Sequence, residues 1–321
     1  MTTVFLTGAS GYIGGSLAAR LVESGTRVRG LVRNPKSAAL LAERGIEPVI
    51  GSLDDTQLLT REARTADAVI NTASADHAAS VRAFIDALEG SGKALLHTSG
   101  SSVIGDDARG KRRSDQVFDE DTPFIVNAMK QPRRDIDLMV LDAGAGAGAG
   151  AGLGSRGIRS AVICPSNIYG IGKGLKPDSV QIPFLAANAR EQGVVQIVGA
   201  GLNVWSNVHL DDVVELYLLA LANAPAGAFY FAENGEASFA DIGAAIATRL
   251  GLPGVESLPP EVAAQRWGEA TAYFSLGSNS RVRATRARHE LGWSPRHSSV
   301  LNWIANELPI TANSASHPER D

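Results

Sequence analysis

Three glycines spaced three apart, Gly8, Gly11 and Gly14 in "LTGASGYIGG", are the first residues whose spacing implies chemistry. Gly8 permits a tight turn, Gly11 lets a pyrophosphate approach the backbone, and Gly14 lets a helix pack on a strand. Together with Ser10, Tyr12 and Ile13 they form a turn whose helix-start N–H groups suit the pyrophosphate of a dinucleotide. The loop "GLVRNPKS" should then meet the adenine ribose. It offers Arg33, Asn34 and Lys36 and no carboxylate. A planar guanidinium pairs with a 2′-phosphate, so NADP(H) is favoured over NAD(H). The plainer alternative for Arg33 is an exposed loop arginine.

A second set could move a proton. Ser99 and Ser101 in "HTSGSS" could bind a carbonyl or imine, or cap a turn. Lys130 in "NAMKQPRRDID" could act as an acid if desolvated, or be an exposed helix-start lysine. Arg133 stays protonated, so it can hold a ribose or an anionic substrate but is a poor proton donor. Pro132 belongs in a first helical turn, which starts the helix near Gln131 and leaves Met129 and Lys130 on the entering loop. His97 reads as a satisfied core histidine. No His, Asp and Glu residues share metal-ligand spacing, and no metal is expected.

The elements that must position these residues alternate. Apolar runs at 3–7, 27–32, 46–50, 67–72, 93–99 and 158–165 are separated by amphipathic segments such as "YIGGSLAARLVES" and "ASVRAFIDALEG". This pattern predicts an α/β fold, a Rossmann-type doubly wound parallel sheet. Residues 1–170 form its core, completed by parts of 200–235. Residues 171–310 form mainly a smaller, mixed α/β C-terminal lobe, and 311–321 a frayed tail. The Ala-Gly alternation at 143–152 reads as a flexible insertion, or as a flap over the site. The polar stretch "DDARGKRRSDQVFDEDTP" is a loop that carries substrate contacts or stays mobile.

Composition excludes several classes. A net charge of −4 gives no pull toward nucleic acid or a membrane surface. The single cysteine, Cys164, excludes an intramolecular disulfide. No apolar run approaches the ~18 residues of a membrane span, and a cytoplasmic location is expected.

The motifs "TGASGYIG", "GSLDD", "NTAS", "HTSGSSVIG", "CPSNIYGIGKG", "NVHLDDVV" and "RHELGWSP" occur in this order. Over about residues 1–307 the chain resembles the extended short-chain dehydrogenase/reductases, the group of NAD-dependent epimerases and dehydratases. The resemblance implies that Ser52 and Leu53 flank the adenine and that Ala73 and Ser74 line the cofactor. It places Thr98 and Ser99 near the nicotinamide ribose, and Pro165, Asn167 and Ile168 around the nicotinamide. Asp211 and Asp212, with His209, belong to a motif that docks the C-terminal lobe, and Tyr169 packs. A homodimer is implied as an option.

The family's serine or threonine, tyrosine and lysine are missing. Alignment puts Gly100 at the serine, Met129 at the tyrosine and Arg133 at the lysine, and no tyrosine lies between Tyr12 and Tyr169. The chain is thus an atypical member. The leading expectation is an NADP(H)-dependent reductase of a small carbonyl, enone or imine. The alternatives are a non-catalytic NADP-binding sensor and, lower, a nucleotide-sugar epimerase or dehydratase.

Overall fold

Continuous apolar runs become strands buried on both faces, as a parallel sheet covered by helices requires. The structure, a computed structural model, describes residues 2–145 and 156–311. In chain order the first half reads β1 Thr3–Thr7, α1 Tyr12–Glu23, β2 Arg27–Val32, α2 Pro35–Ala42, β3 Glu47–Ile50, α3 Thr56–Thr65, β4 Ala68–Asn71, α4 Ala78–Leu88 and β5 Ala94–Thr98. Then follow α5 Gln131–Gly144, β6 Arg159–Pro165, β7 Asn167–Tyr169, α6 Gln181–Gln192, β8 Val195–Val198, β9 Val204–His209, α7 Leu210–Asn223 and β10 Ala228–Ala232. The chain continues with β11 Glu236–Ser238, α8 Phe239–Leu250, β12 Val255–Leu258, α9 Pro260–Trp267, α10 Thr285–Leu291 and α11 Val300–Asn306.

The main sheet has seven strands in the order β10-β6-β5-β4-β1-β2-β3, and every pairing in it is parallel. Strand order turns around β1 and β4, which opens a crevice beyond their C-terminal ends. Helix α1 packs with α7 on one face, and α3, α4 and α5 adjoin one another on the other. Local chemistry fixes the helix starts. Asn34 accepts from Ser37 N ahead of Pro35, and Asp55 accepts from Leu58 N.

A second apolar cluster gathers Tyr169, Trp205, Phe239, Ile242 and Trp303 around the parallel pair β8–β12 and helices α6, α8 and α11. Asp212 ties the last segment to α7. Its carboxylate accepts from Arg296 N and His297 N, while its carbonyl accepts from Trp293 Nε1. His209 caps α7 and stacks on His297, and the Tyr169 hydroxyl donates to the His297 carbonyl. The polar loop after β5 is pinned. Asn279 bonds Asp106, Arg281 donates to Ser114 O at 2.7 Å, and Phe118 exchanges backbone bonds with Arg281 and Arg283. Among the described residues no helix is long and apolar enough to cross a membrane. Most of the Ala-Gly insertion and of the tail lies outside the described residues.

Candidate functional site

The glycine turn joins β1 to α1 with the geometry its spacing demands. Gly8 sits at φ +76°, and a Cβ there would lie 2.7 Å from Thr72 Oγ1. A Cβ on Gly14 would lie 2.3 Å from Gly8 O, so α1 can approach β4 only with glycine at that position. Gly11 differs, because its Cβ would meet only Gly8 O, at 3.1 Å. The volume beside it is open. The start of α1 has no side-chain cap and no acidic residue in its first turn. Its leading N–H groups therefore have no helical acceptor, as an anion site at a helix start requires.

The side chains around this turn are largely spent on the protein. The Tyr12 hydroxyl donates to Gly170 O at 2.9 Å, and Ser10 O accepts from Lys176 N. Gly174 lies against Gly11 and Gly15 closely enough to exclude a Cβ. Segment 170–176 thus braces the first turns of α1, so Tyr12 can serve a pyrophosphate only through its backbone. Ile13 is half-buried beside them. Arg33 and Lys36 are exposed just past β2, whereas the Asn34 side-chain oxygen is committed to its helix cap. Ser52 Oγ accepts from Asp54 N and Ser74 Oγ from Asp76 N, so both shape their loops, with Leu53 half-buried and Ala73 exposed alongside.

The two serines expected to do chemistry face inward. Ser99 Oγ donates to Asp137 Oδ2 at 2.9 Å, and both residues are buried. Ser101 Oγ accepts from Ser280 Oγ at 2.7 Å and is 1% exposed. Both hydroxyls are buried and hydrogen-bonded within the protein. Thr98, expected near the nicotinamide ribose, is engaged in the same way. Its hydroxyl donates to Asn71 O at 2.7 Å and meets Tyr217 OH at 2.5 Å, an anchor inside the sheet.

His97 is not the satisfied core histidine its place in β5 suggested. Asn71 Nδ2 donates to Ser74 O, so the same nitrogen is the donor to His97 Nδ1 at 3.0 Å. That assignment leaves the imidazole proton on Nε2. Nε2 faces Asp137 Oδ1 at 4.0 Å, and neither atom has a hydrogen-bond partner among the described residues. Burial lowers His97 to about 4, helped by Arg133. Burial raises Asp137 to about 7 against the Ser99 bond and the charges of Arg134 and Arg133.

The groups that do reach the crevice come from the start of α5. Arg133 Nε and Nη2 donate to the two oxygens of Asp76 at 2.8 and 2.6 Å, and Nη1 donates to Ser102 Oγ at 3.1 Å. The Arg133 bond holds Asp76 below the usual carboxylate range, although burial opposes it. Lys130, in a short 3₁₀ turn with Met129, lies with Nζ 5.4 Å from the Phe274 ring centroid. Burial, then Arg133, pushes its ammonium below the usual lysine range, and Asp76 opposes them. It is half-buried rather than an exposed helix-start lysine, whereas Met129 is exposed. On the opposite wall Pro165 and Asn167 are buried and Ile168 partly so. Both Asn167 side-chain atoms are buried without a partner. A buried amide without a partner fits a bound group that would supply the missing bonds.

Asp76, Ser102, Asp137 and Ser280 were not singled out by the sequence. Only Asp137 carried a local clue, lying four residues after Arg133 and so on the same face of α5.

Residues 4–230 match the NAD dependent epimerase/dehydratase family. The oxidase ucsJ of an Acremonium species is 31% identical, over 91% of this chain and 92% of its own. The 4-hydroxy-2-methyl-3-oxo-4-farnesyl-3,4-dihydroquinoline-1-oxide ketoreductase of Stigmatella aurantiaca is 26% identical over 98% of both chains. The dTDP-glucose 4,6-dehydratase of Bacillus anthracis, solved with NAD, superposes with a TM-score of 0.72 at 18% identity over 93% of both chains. A glycine cradle at the strand turnaround, a seven-stranded parallel sheet and these likenesses agree, and the chain belongs to the NAD dependent epimerase/dehydratase family of extended short-chain dehydrogenases/reductases.

Proposed function

We propose that the protein is an NADP(H)-dependent reductase of a small carbonyl, enone or imine. The observation that carries this reading is a half-buried lysine, Lys130, beside the Arg133–Asp76 pair, in a chain that keeps an open glycine turn ahead of α1. The backbone N–H groups of Tyr12, Ile13 and Gly14 would hold the pyrophosphate, and Arg33 with Lys36 the 2′-phosphate. The Asn167 amide would meet the nicotinamide end. When bound, the nicotinamide supplies a hydride to the acceptor carbon. Lys130 Nζ gives a proton to the acceptor oxygen or nitrogen and regains one from water. With its affinity for the proton lowered by burial and Arg133, the ammonium releases it more readily than a solvated lysine would.

A reductase by name among the relatives supports this reading. Sugar epimerisation or dehydration begins by oxidising a hydroxyl, which calls for a base where Met129 stands, and a thioether has no proton to exchange. The deciding experiment is single-turnover oxidation of bound NADPH, and of NADH, against aldehydes, ketones and imines. Turnover with NADPH that Arg33→Ala weakens far more than turnover with NADH is the expected result. NADPH binding with no turnover on any acceptor would instead favour a cofactor-sensing protein.

A further inference from the structure

Gly100 stands where the family keeps its serine, and the space a side chain would fill there is not empty by accident. A Cβ on Gly100 would have one neighbour within 4 Å, Arg133 Nη1 at 3.3 Å. The guanidinium therefore borders an otherwise open volume at the C-terminal end of β5. Its plane is fixed by the two-point bond to Asp76, which follows β4. A guanidinium has five N–H donors. Asp76 takes one on Nε and one on Nη2, and Ser102 takes one on Nη1. These three bonds leave one N–H on Nη1 and one on Nη2, both in the guanidinium plane. Lys130 adds a second positive charge beside Arg133, Asp76 opposes both, and Asp137 with Arg134 lies behind Arg133.

We propose that Arg133 is the acceptor-binding residue of this site and that its remaining N–H pair takes a 2-oxo acid. The keto oxygen and one carboxylate oxygen of such an acceptor lie in one plane and accept one N–H each. The carboxylate brings negative charge beside the Arg133 and Lys130 cations. Asp76 is then a positioning residue, holding the fork in register. Gly100 is the residue that leaves room for both guanidinium and ligand. This inference rests on the reductase reading for its reaction but not for its binding.

The test uses Arg133→Lys, which keeps the charge and loses the fork, alongside the wild type. Oxamate, a non-reducible 2-oxo acid mimic, is titrated by calorimetry in the presence of NADP⁺, and 2-oxobutanoate and butanone are compared as acceptors. Oxamate should bind the wild type and bind Arg133→Lys at least about tenfold more weakly, since one bond to a charged group is worth about 1.5–3 kcal/mol. The preference for 2-oxobutanoate over butanone should shrink in the variant by a similar factor. Failure of oxamate to bind the wild type, with butanone reduced as well as 2-oxobutanoate, overturns the proposal and leaves the reductase reading standing. Oxamate binding that depends on Arg133, with no acceptor turned over, supports the proposal and removes the reductase reading. If Arg133→Lys weakens NADPH as much as oxamate, the fork serves the cofactor and the proposal fails.

Discussion

Asp137→Asn and His97→Asn, made separately, should tilt the pH dependence of stability in opposite directions. Burial drives both groups toward their neutral forms, lowering His97 from 6.5 to about 4 and raising Asp137 from 3.8 to about 7. Between these limits the folded pair holds one proton, on Asp137. The unfolded pair also holds one, on the imidazole. The proton numbers match, so the pair adds no slope to wild-type stability between about pH 4 and 6.5. In Asp137→Asn only the depressed histidine remains. The unfolded state then binds more protons than the folded state, and stability climbs by about 3 kcal/mol over that interval. In His97→Asn only the raised carboxyl remains. Its stabilisation is complete below about pH 4 and is lost as pH rises through about 7, a fall of about 4 kcal/mol. Burial dominates both displacements, so each survives removal of the other partner. Urea unfolding followed by tryptophan fluorescence, read as variant minus wild type from about pH 4.5 to 7.5, measures the slopes. Two flat difference curves would refute the reasoning. So would an Asp137→Asn curve that falls with pH, because Asp137 would then be an ionised carboxylate held by Arg134, Arg133 and Ser99.

Three further outcomes follow from the crevice. Lys130→Met should reduce turnover by about 10²–10⁴-fold, the usual worth of a positioned proton donor. The wild-type rate should fall as pH rises through a pKa below the normal lysine range, and that limb should vanish in the variant's pH–rate profile. Gly14→Ala would bring a Cβ 2.3 Å from Gly8 O and 2.4 Å from Thr72 Oγ1. It should lower stability by about 1–3 kcal/mol and weaken NADPH, seen by denaturation and by cofactor fluorescence. Gly174→Ala would press a Cβ to 2.2 Å from Gly11 O. Because it displaces only the segment bracing α1, it should loosen NADPH with a smaller drop in melting temperature than Gly14→Ala.

The strands were legible because a sheet covered on both faces leaves unbroken apolar runs. The run "RVRGLV" is β2 as read, and "KALLHTS" contains β5 within one residue at each end. "AFYFAE" was legible as a strand, but its place as the seventh member beside β6 was not. Strand order is set by packing between segments far apart in sequence. The phosphate cradle was legible for the opposite reason, since φ at Gly8 and the approach at Gly14 are local constraints that only glycine meets. The serine hydroxyls were not legible. Ser99 is turned by Asp137, 38 residues away, and Ser101 by Ser280, 179 residues away. Asp76 reaches Arg133 across 57 residues from the end of a different strand.

Read singly, Gly100, Met129 and Arg133 are three losses from a catalytic set. The geometry makes at least two of them one change. A serine at 100 would start its side chain 3.3 Å from Arg133 Nη1 and aim a hydroxyl into the opening the guanidinium now borders. A lysine at 133 could not hold Asp76 at two points or keep a plane against Ser102, because an ammonium has no fork. Glycine at 100 thus leaves arginine at 133 its present place, and on the proposed reading the N–H donors of Arg133 stand in for the hydroxyl absent at 100. On that reading the identity of the donor changes from a neutral hydroxyl to a cation. A cation stabilises an oxygen that gains negative charge, and it does so more strongly in a partly buried site than in water. That substitution favours acceptors that arrive with, or develop, anionic oxygen over the neutral hydroxyls of a sugar.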